Sequence, residues 1–109
     1  MNIITRLEEI ILMAVWRLKD NAYGVTINKE VSRRTGKKYS MGALYFSLDQ
    51  LLKKEYVSKH TGSPTPERGG RRKIYYELTP DGKKALQAAR ELQESLWEGV
   101  SKFAFEEQK

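Results

Sequence analysis

Four segments of the sequence decide the fold: SMGALYFSLDQLL at residues 40–52, VSKH at 57–60, GSPTPERGG at 62–70 and RRKIYYEL at 71–78. Leucines at three- and four-residue steps predict a helix with one apolar face in the first segment, and Ser40 is its predicted N-cap. The alternation of Ile74, Tyr76 and Leu78 predicts a strand with one buried face, paired with a strand at 57–60. A helix followed by a β-hairpin with a cationic tip is the layout of a winged helix-turn-helix, which indicates DNA binding.

Two further helices are predicted before this stretch. Apolar residues recur at three- and four-residue steps over residues 3–18 and predict an amphipathic first helix. A second, shorter helix is predicted to begin at a cap at Thr26 or Asn28 and to end at Gly36. In the third helix, residues 44, 48, 51 and 52 form the predicted buried stripe, and Ser47 lies on the opposite face.

A long helix is predicted after the hairpin. Thr79, Pro80 and Asp81 provide a hydroxyl N-cap, a proline at the first helical position and an acid near the positive end of the helix dipole. The helix is predicted to reach about Phe105. Its apolar residues step by 4, 3, 4, 4 and 3, which is a coiled-coil-like seam formed by Ala85, Ala89, Leu92, Leu96, Val100 and Phe103.

Composition narrows the function further. The net charge of +6 and pI of about 9.6 favour a polyanionic partner. Residues 1–55 carry a net +4 and residues 56–78 a net +3, whereas residues 79–109 carry −1. The positive charge therefore lies on the predicted helix-turn-helix and hairpin.

Several classes of function are excluded. The chain has no cysteine and one histidine, His60, so we expect no disulfide, metal site or cofactor. No nucleophile is paired with a base, so we expect no enzyme activity. The longest apolar run has seven residues against the roughly 20 that span a bilayer. With no signal peptide visible either, we expect a cytoplasmic protein without a membrane partner.

Basic residues flank the third helix. The hairpin tip has four cations beside two flexible glycines: Arg68, Arg71, Arg72 and Lys73. Because they lie between two strands after a helix-turn-helix, phosphate contact is favoured over a solubilising charge cluster. For the pair Arg33 and Arg34, phosphate contact and ordinary solvated helix surface are equally favoured.

Three aromatic residues have open alternatives. Tyr45 could donate its hydroxyl to a phosphate or pack half-buried under the wing. Trp16 and Trp97 could stack a planar ligand at a dimer interface, although a role in packing is the commoner one for such residues.

Two motifs resemble the PadR family of transcriptional regulators. They are the recognition-helix motif SMGALYFSLDQL at 40–51 and the wing and helix start GGRRKIYYELTPDG at 69–82. The resemblance implies a mainly α fold with a small β-hairpin: a winged helix-turn-helix over residues 1–78 and a C-terminal dimerisation helix over residues 79–109. The family usually has proline at the position of Phe46 and glycine, a left-handed C-cap, at the position of Tyr56.

The resemblance also implies a homodimer that binds a palindromic operator in double-stranded DNA, usually as a repressor. The C-terminal helix of the smaller subclass packs on the partner's N-terminal helix, and some members bind planar aromatic drugs. The predicted dimer interface therefore consists of Leu7, Ile11, Leu92, Leu96, Val100 and Phe103.

The predicted function is a DNA-binding repressor with possible effector contacts at Trp16 and Trp97. Its predicted DNA contacts are Lys37, Lys38, Ser40, Met41, Gly42, Ala43, Tyr45, Arg68, Arg71, Arg72 and Lys73. Two other functions stay open. One is a winged-helix adaptor whose basic face binds an acidic protein, and the other is a ligand sensor in which planar aromatics change the angle between the two winged helices.

Overall fold

A computed structural model describes residues 3–62 and 73–100. In chain order the elements are α1 (Arg6–Leu18), a 3-10 turn (Lys19–Asn21), α2 (Gly24–Thr35), α3 (Met41–Lys53), β1 (Val57–Thr61), β2 (Ile74–Leu78) and α4 (Pro80–Trp97). The protein is mainly helical with one small hairpin, which confirms the predicted fold class. No helix within the described residues is long and apolar enough to cross a membrane.

The predicted caps of α3 and α4 are confirmed. Ser40 Oγ accepts a hydrogen bond from the Ala43 amide at 3.1 Å. Thr79 Oγ1 accepts one from the Gly82 amide at 2.9 Å. Each bond satisfies an N–H that has no partner inside its helix.

The predicted start of α2 is wrong. The helix begins at Gly24, so Thr26 lies inside its first turn. There Thr26 Oγ1 accepts the Tyr23 amide at 3.0 Å and donates to the Asn21 carbonyl at 2.6 Å. Thr26 is therefore the N3 residue of a capping box, and the N-cap is Tyr23.

The two strands form an antiparallel pair from Val57 opposite Leu78 to Thr61 opposite Ile74. A backbone bond of 2.8 Å from the Tyr76 amide to the Ala22 carbonyl joins this hairpin to the loop before α2. The hairpin is thus attached to the helix-turn-helix through the middle of β2, and its tip at residues 63–72 lies outside the described residues.

All three N-terminal helices contribute to the core. Its fully buried side chains include Ile11, Leu12, Val15, Ile27, Val31, Leu44, Leu48 and Leu51. The sequence prediction that Ile11 faces a partner subunit is therefore wrong, because Ile11 is 0% exposed within its own chain. Ser47, predicted on the outer face of α3, is also buried, since the buried arc of the helix extends past the leucine stripe to include it.

The junction between α3 and α4 is tightly built. Glu55 has φ of +63°, and the Tyr56 amide donates to the Leu51 carbonyl at 2.9 Å. The left-handed residue that ends α3 is therefore Glu55, one position before the predicted one. Thr79 Oγ1 donates to the Glu55 carbonyl at 2.6 Å, and α4 packs so closely that a Cβ on Gly82 would clash with the Tyr56 carbonyl.

Helix α4 ends at Trp97, well before the predicted end near Phe105. Glu98 leaves the helical conformation with ψ of 126°, and Gly99 has φ of +79°, a conformation that glycine adopts without a steric penalty. Val100 therefore does not continue the helical seam. Phe103 lies outside the described residues.

Candidate nucleic-acid interface

The turn between α2 and α3 is fixed by two local bonds. Gly36 ends α2 with φ of +70°, and its amide donates to the Ser32 carbonyl at 2.8 Å. Asn28 Nδ2 donates to the Tyr39 carbonyl at 3.0 Å. Together they hold the chain that leads into α3, and so they set where the first turn of α3 points.

The predicted base-reading residues share one exposed end of α3. Ser40, Met41, Gly42 and Ala43 are all exposed. Phe46, which the sequence singled out only as a departure from the family pattern, follows one turn later and is 66% exposed. The first two turns of α3 therefore present small and apolar groups with no protein covering them.

Cations flank this helix on one side. Lys37 and Lys38 are exposed in the turn before α3, and Lys37 Nζ lies 5.0 Å from the ring centroid of Tyr39. Both ammonium groups are free of any carboxylate within 4.0 Å among the described residues. They are therefore available to an anionic partner.

Arg33 and Arg34 are engaged within α2. They bind the two carboxylate oxygens of Glu30 at 2.8 and 2.9 Å. Their hydrogen bonds lower the pKa of Glu30. Glu30 neutralises part of the charge of the two arginines. The structure therefore favours the interpretation of Arg33 and Arg34 as solvated helix surface over a role in phosphate contact.

Tyr45 packs between α2 and the hairpin. Its hydroxyl lies against Gly24, where a Cβ would not fit. It is also close to Tyr76, whose pKa is raised by burial and further by the nearby Tyr45 and Asp49. The structure thus shows the packing role predicted for Tyr45, while part of its ring stays exposed.

The tip-side end of the paired strands carries an aromatic cluster that the sequence analysis missed. The Tyr23 and Tyr75 rings meet edge to face at 5.6 Å, and His60 stacks on Tyr75 at 5.6 Å. Lys73 Nζ lies 4.4 Å above the Tyr23 ring. The other predicted wing cations, Arg68, Arg71 and Arg72, lie outside the described residues. The sequence could have indicated part of this cluster, because His60 and Tyr75 are opposite each other once the two strands are paired.

The two tryptophans lie apart within one chain. Trp16 is 52% exposed and lines a cleft of about 280 Å³ with His60, Tyr75 and Lys83, and Lys19 Nζ lies 3.7 Å from its ring centroid. Helix α4 runs antiparallel to α1, and Leu86 of α4 lies beside Trp16. Trp97 is eleven residues further along α4, which is about 16 Å from Leu86 at the helical rise. A single chain therefore does not form one site from both rings.

The predicted dimer residues on α4 are exposed. Leu96 is 64% exposed, and Leu92 and Val100 also face outward. Leu7 on α1 is partly buried against the core of its own chain. An apolar strip on the second half of α4 is thus exposed within the described part of the chain.

Comparison with known proteins identifies relatives of the whole fold. Residues 11–88 match the sequence model of the transcriptional regulator PadR-like family. A PadR family transcription regulator from Clostridium difficile is 23% identical, with 96% of this chain and 100% of that one covered and a TM-score of 0.67. A comparison with curated protein sequences gave no match.

Two further solved structures have higher TM-scores. A transcriptional regulator from Clostridium thermocellum is 28% identical, with 88% and 90% of the two chains covered and a TM-score of 0.71. A PadR-like transcription factor from Bacteroides fragilis is 24% identical, with 86% and 85% covered and a TM-score of 0.74. The similarity therefore extends over both the helix-turn-helix and α4.

Proposed function

The chain belongs to the PadR-like family of transcriptional regulators, which bind DNA and are not enzymes, and we propose that it is a homodimeric repressor acting on a palindromic operator in the cytoplasm. The observation that carries this proposal is the exposed first half of α3, capped by Ser40 and preceded by two lysines that have no carboxylate partner among the described residues. Such a helix fits a major groove about 12 Å wide.

Each part of the surface has a distinct role. Residues 40–43 enter the groove, where their small size lets the helix backbone approach the bases. Lys37 and Lys38 contact the phosphates that border it. The wing brings Arg68, Arg71, Arg72 and Lys73 to the flanking backbone, and the contact of Tyr75 with Tyr23 holds the paired strands against the helix-turn-helix.

The homodimer is supported by the uncovered apolar strip on α4. Leu92 and Leu96 are exposed on a helix whose other side already packs on the core through Ala85 and Ala89. A second copy would cover this strip with its own α1 and α4. Leu96→Asp would leave an unpaired charge in that interface, so we expect sedimentation to show monomers. An intact dimer would contradict the proposed interface.

The primary test is fluorescence anisotropy on genomic duplex fragments at two salt concentrations. We expect tight binding to a few fragments that persists at the higher salt. Weak binding to all fragments that disappears with salt would contradict a sequence-specific regulator. It would favour the adaptor alternative, in which the basic face binds an acidic protein.

The wing is tested by the slope of affinity against salt. Replacing Arg71 and Arg72 with alanine removes two phosphate contacts per subunit and four per dimer, so we expect the magnitude of the logarithmic slope to fall by about three to four. Lys84→Ala is the matched control, because this exposed lysine lies on α4 and not on the hairpin. An unchanged slope in the double variant would exclude the wing from the contact surface.

Release by a planar aromatic effector is the remaining part of the proposal. Trp16 and Trp97 are each about half exposed, so part of each side chain faces solvent. We expect planar compounds to quench tryptophan fluorescence and to weaken operator binding. Trp16→Phe and Trp97→Phe, measured separately, assign the signal to one ring, and no quenching across a varied panel would contradict the effector.

A further inference from the structure

We propose that Phe46 reads thymine methyl groups in the operator, so that each half-site contains a thymine whose methyl contributes to binding. The inference rests on the proposed DNA-binding function and adds a base-specific contact to it. Its origin is one feature of the molecule: the most exposed large apolar side chain on the predicted reading helix is an aromatic ring.

Phe46 lies at the centre of the outward face of α3. Gly42, Phe46, Asp49 and Lys53 follow one another at steps of 4, 3 and 4, which places them along one line of the helix. All four are exposed, while Leu44, Leu48 and Leu51 occupy the opposite side at 0% exposure. The surface that enters the groove first is therefore the one that carries the Phe46 ring.

The flanking residues make the approach of this ring to the bases possible. Gly42 precedes it by one turn and has nothing but the Ser40 hydroxyl near the space a Cβ would occupy. Ala43 presents only a methyl group. Because neither residue holds the helix away from the DNA, the Phe46 ring can reach the floor of the groove.

The chemistry of this face selects among the bases. Guanine is most often read by an arginine or lysine that binds O6 and N7, and on this face the first such residue is Lys53, at the far end of α3 and about two turns beyond Phe46. The thymine C5-methyl is the apolar group that the major groove displays, and phenylalanine is among the side chains that contact it. An aromatic ring in this position therefore favours thymine over cytosine, which lacks the methyl.

The neighbouring acid supports a base contact over a phosphate contact. Asp49 lies one turn after Phe46 on the same line, and it is exposed. A carboxylate there would repel phosphate oxygens but can accept a hydrogen bond from cytosine N4. The middle of α3 is thus suited to base edges, whereas the lysines before the helix are suited to the backbone.

The test uses the operator fragment recovered by the genomic selection, synthesised once with thymine and once with deoxyuridine in its half-sites. Deoxyuridine keeps the hydrogen-bonding pattern of thymine and lacks only the methyl. We expect about fourfold weaker binding per contacted methyl, the loss that corresponds to one apolar carbon left in water. For two symmetric contacts the expected loss is about 16-fold.

Variants of Phe46 assign the effect to this residue. Phe46→Ala should bind the thymine duplex more weakly and distinguish it from the deoxyuridine duplex by less than twofold. Phe46→Leu keeps an apolar side chain and should retain part of the discrimination. Because the ring is 66% exposed, neither substitution should change the thermal stability, which is measured alongside.

A second substitution tests the methyl directly. Where replacing the contacted thymine with cytosine weakens binding, 5-methylcytosine should restore part of the affinity to the wild-type protein and none to Phe46→Ala. Equal affinity for the thymine and deoxyuridine duplexes, with specific binding intact, would overturn the role of Phe46. Absence of specific binding to the thymine duplex would instead refute the proposed function on which the inference rests.

Discussion

Lys54→Met is expected to destabilise the protein because it leaves a buried carboxylate without its cationic partner. Glu8 on α1 has a side chain that is 4% exposed, and both its oxygens lie 2.9 Å from Lys54 Nζ at the end of α3. Within the described residues this is the sole salt bridge that joins two helices, since the other four lie within one helix. Methionine keeps the stem of Lys54 and removes its charge.

The magnitude of the destabilisation depends on whether Glu8 stays ionised without its partner or takes up a proton. Leaving a charge unpaired in the interior costs about 3–5 kcal/mol when burial is complete. Lys54 is 27% exposed, so water reaches the site and the penalty falls to about 2–3 kcal/mol. Protonation of Glu8 at pH 7 limits the loss to roughly 3.5 kcal/mol, from 1.36 kcal/mol per pH unit above its ordinary pKa. For a chain of 109 residues, about 2–3 kcal/mol lowers Tm by about 10 °C.

The measurement is urea and thermal unfolding at pH 7 and one fixed protein concentration, because a dimer's stability depends on concentration. Lys53→Met is the matched control, since Lys53 is an exposed neighbour on the same helix. Glu8→Gln should cost less than Lys54→Met, because Lys54 can turn to solvent once its partner is neutral. The double variant should resemble Glu8→Gln alone. A loss below about 0.5 kcal/mol for Lys54→Met would refute the reasoning.

Three further predictions concern the same framework. Burial raises the pKa of Glu8, but the Thr5 amide and Lys54 outweigh it and lower the pKa overall. The stabilisation is therefore complete above the ordinary pKa and lost as pH falls through the lowered one, so the difference in unfolding free energy between wild type and Lys54→Met should shrink as pH falls below the ordinary pKa of a glutamate; a constant difference across that range would contradict it. Gly82→Ala should destabilise by about 1–3 kcal/mol in urea titrations, because its Cβ meets the Tyr56 carbonyl, whereas Gly42→Ala, with open space, should not. Glu55→Gly should stabilise by about 0.5–1 kcal/mol by relieving φ of +63°, with Glu55→Ala unchanged or weaker as the contrast.

Features encoded by neighbouring residues were predictable from the sequence. Ser40 and Thr79 were identified as caps because a cap bonds an amide three residues away. The hairpin was identified because alternation is a local pattern. By contrast, the Glu8–Lys54 pair joins residues 46 positions apart, and no short-range pattern connects them.

The errors have a common physical origin. Periodicity shows which face of a helix is apolar but not what covers it, so Ile11 was assigned to a partner when its own α2 and α3 already bury it. The apolar steps on α4 likewise continued past Gly99, although a positive φ there ends the helix. The Tyr23–Tyr75 cluster was missed because it forms only when β2 bonds to the loop before α2.

These contacts determine how a dimer of this chain would hold its two reading helices. The end of α3 is fixed to α1 by Lys54 and to the start of α4 through Glu55 and Tyr56, whose carbonyls receive Thr79 and face Gly82. The residues that follow α3 therefore contact the start of α4 directly, although the hairpin lies between the two helices in the sequence. In the proposed dimer, a rotation of α4 would therefore carry α3 with it and change the distance between the two reading helices. That distance has to match half-sites about one helical turn, or roughly 10 base pairs, apart. The effector proposed above would then release the operator by shifting α4 together with α3.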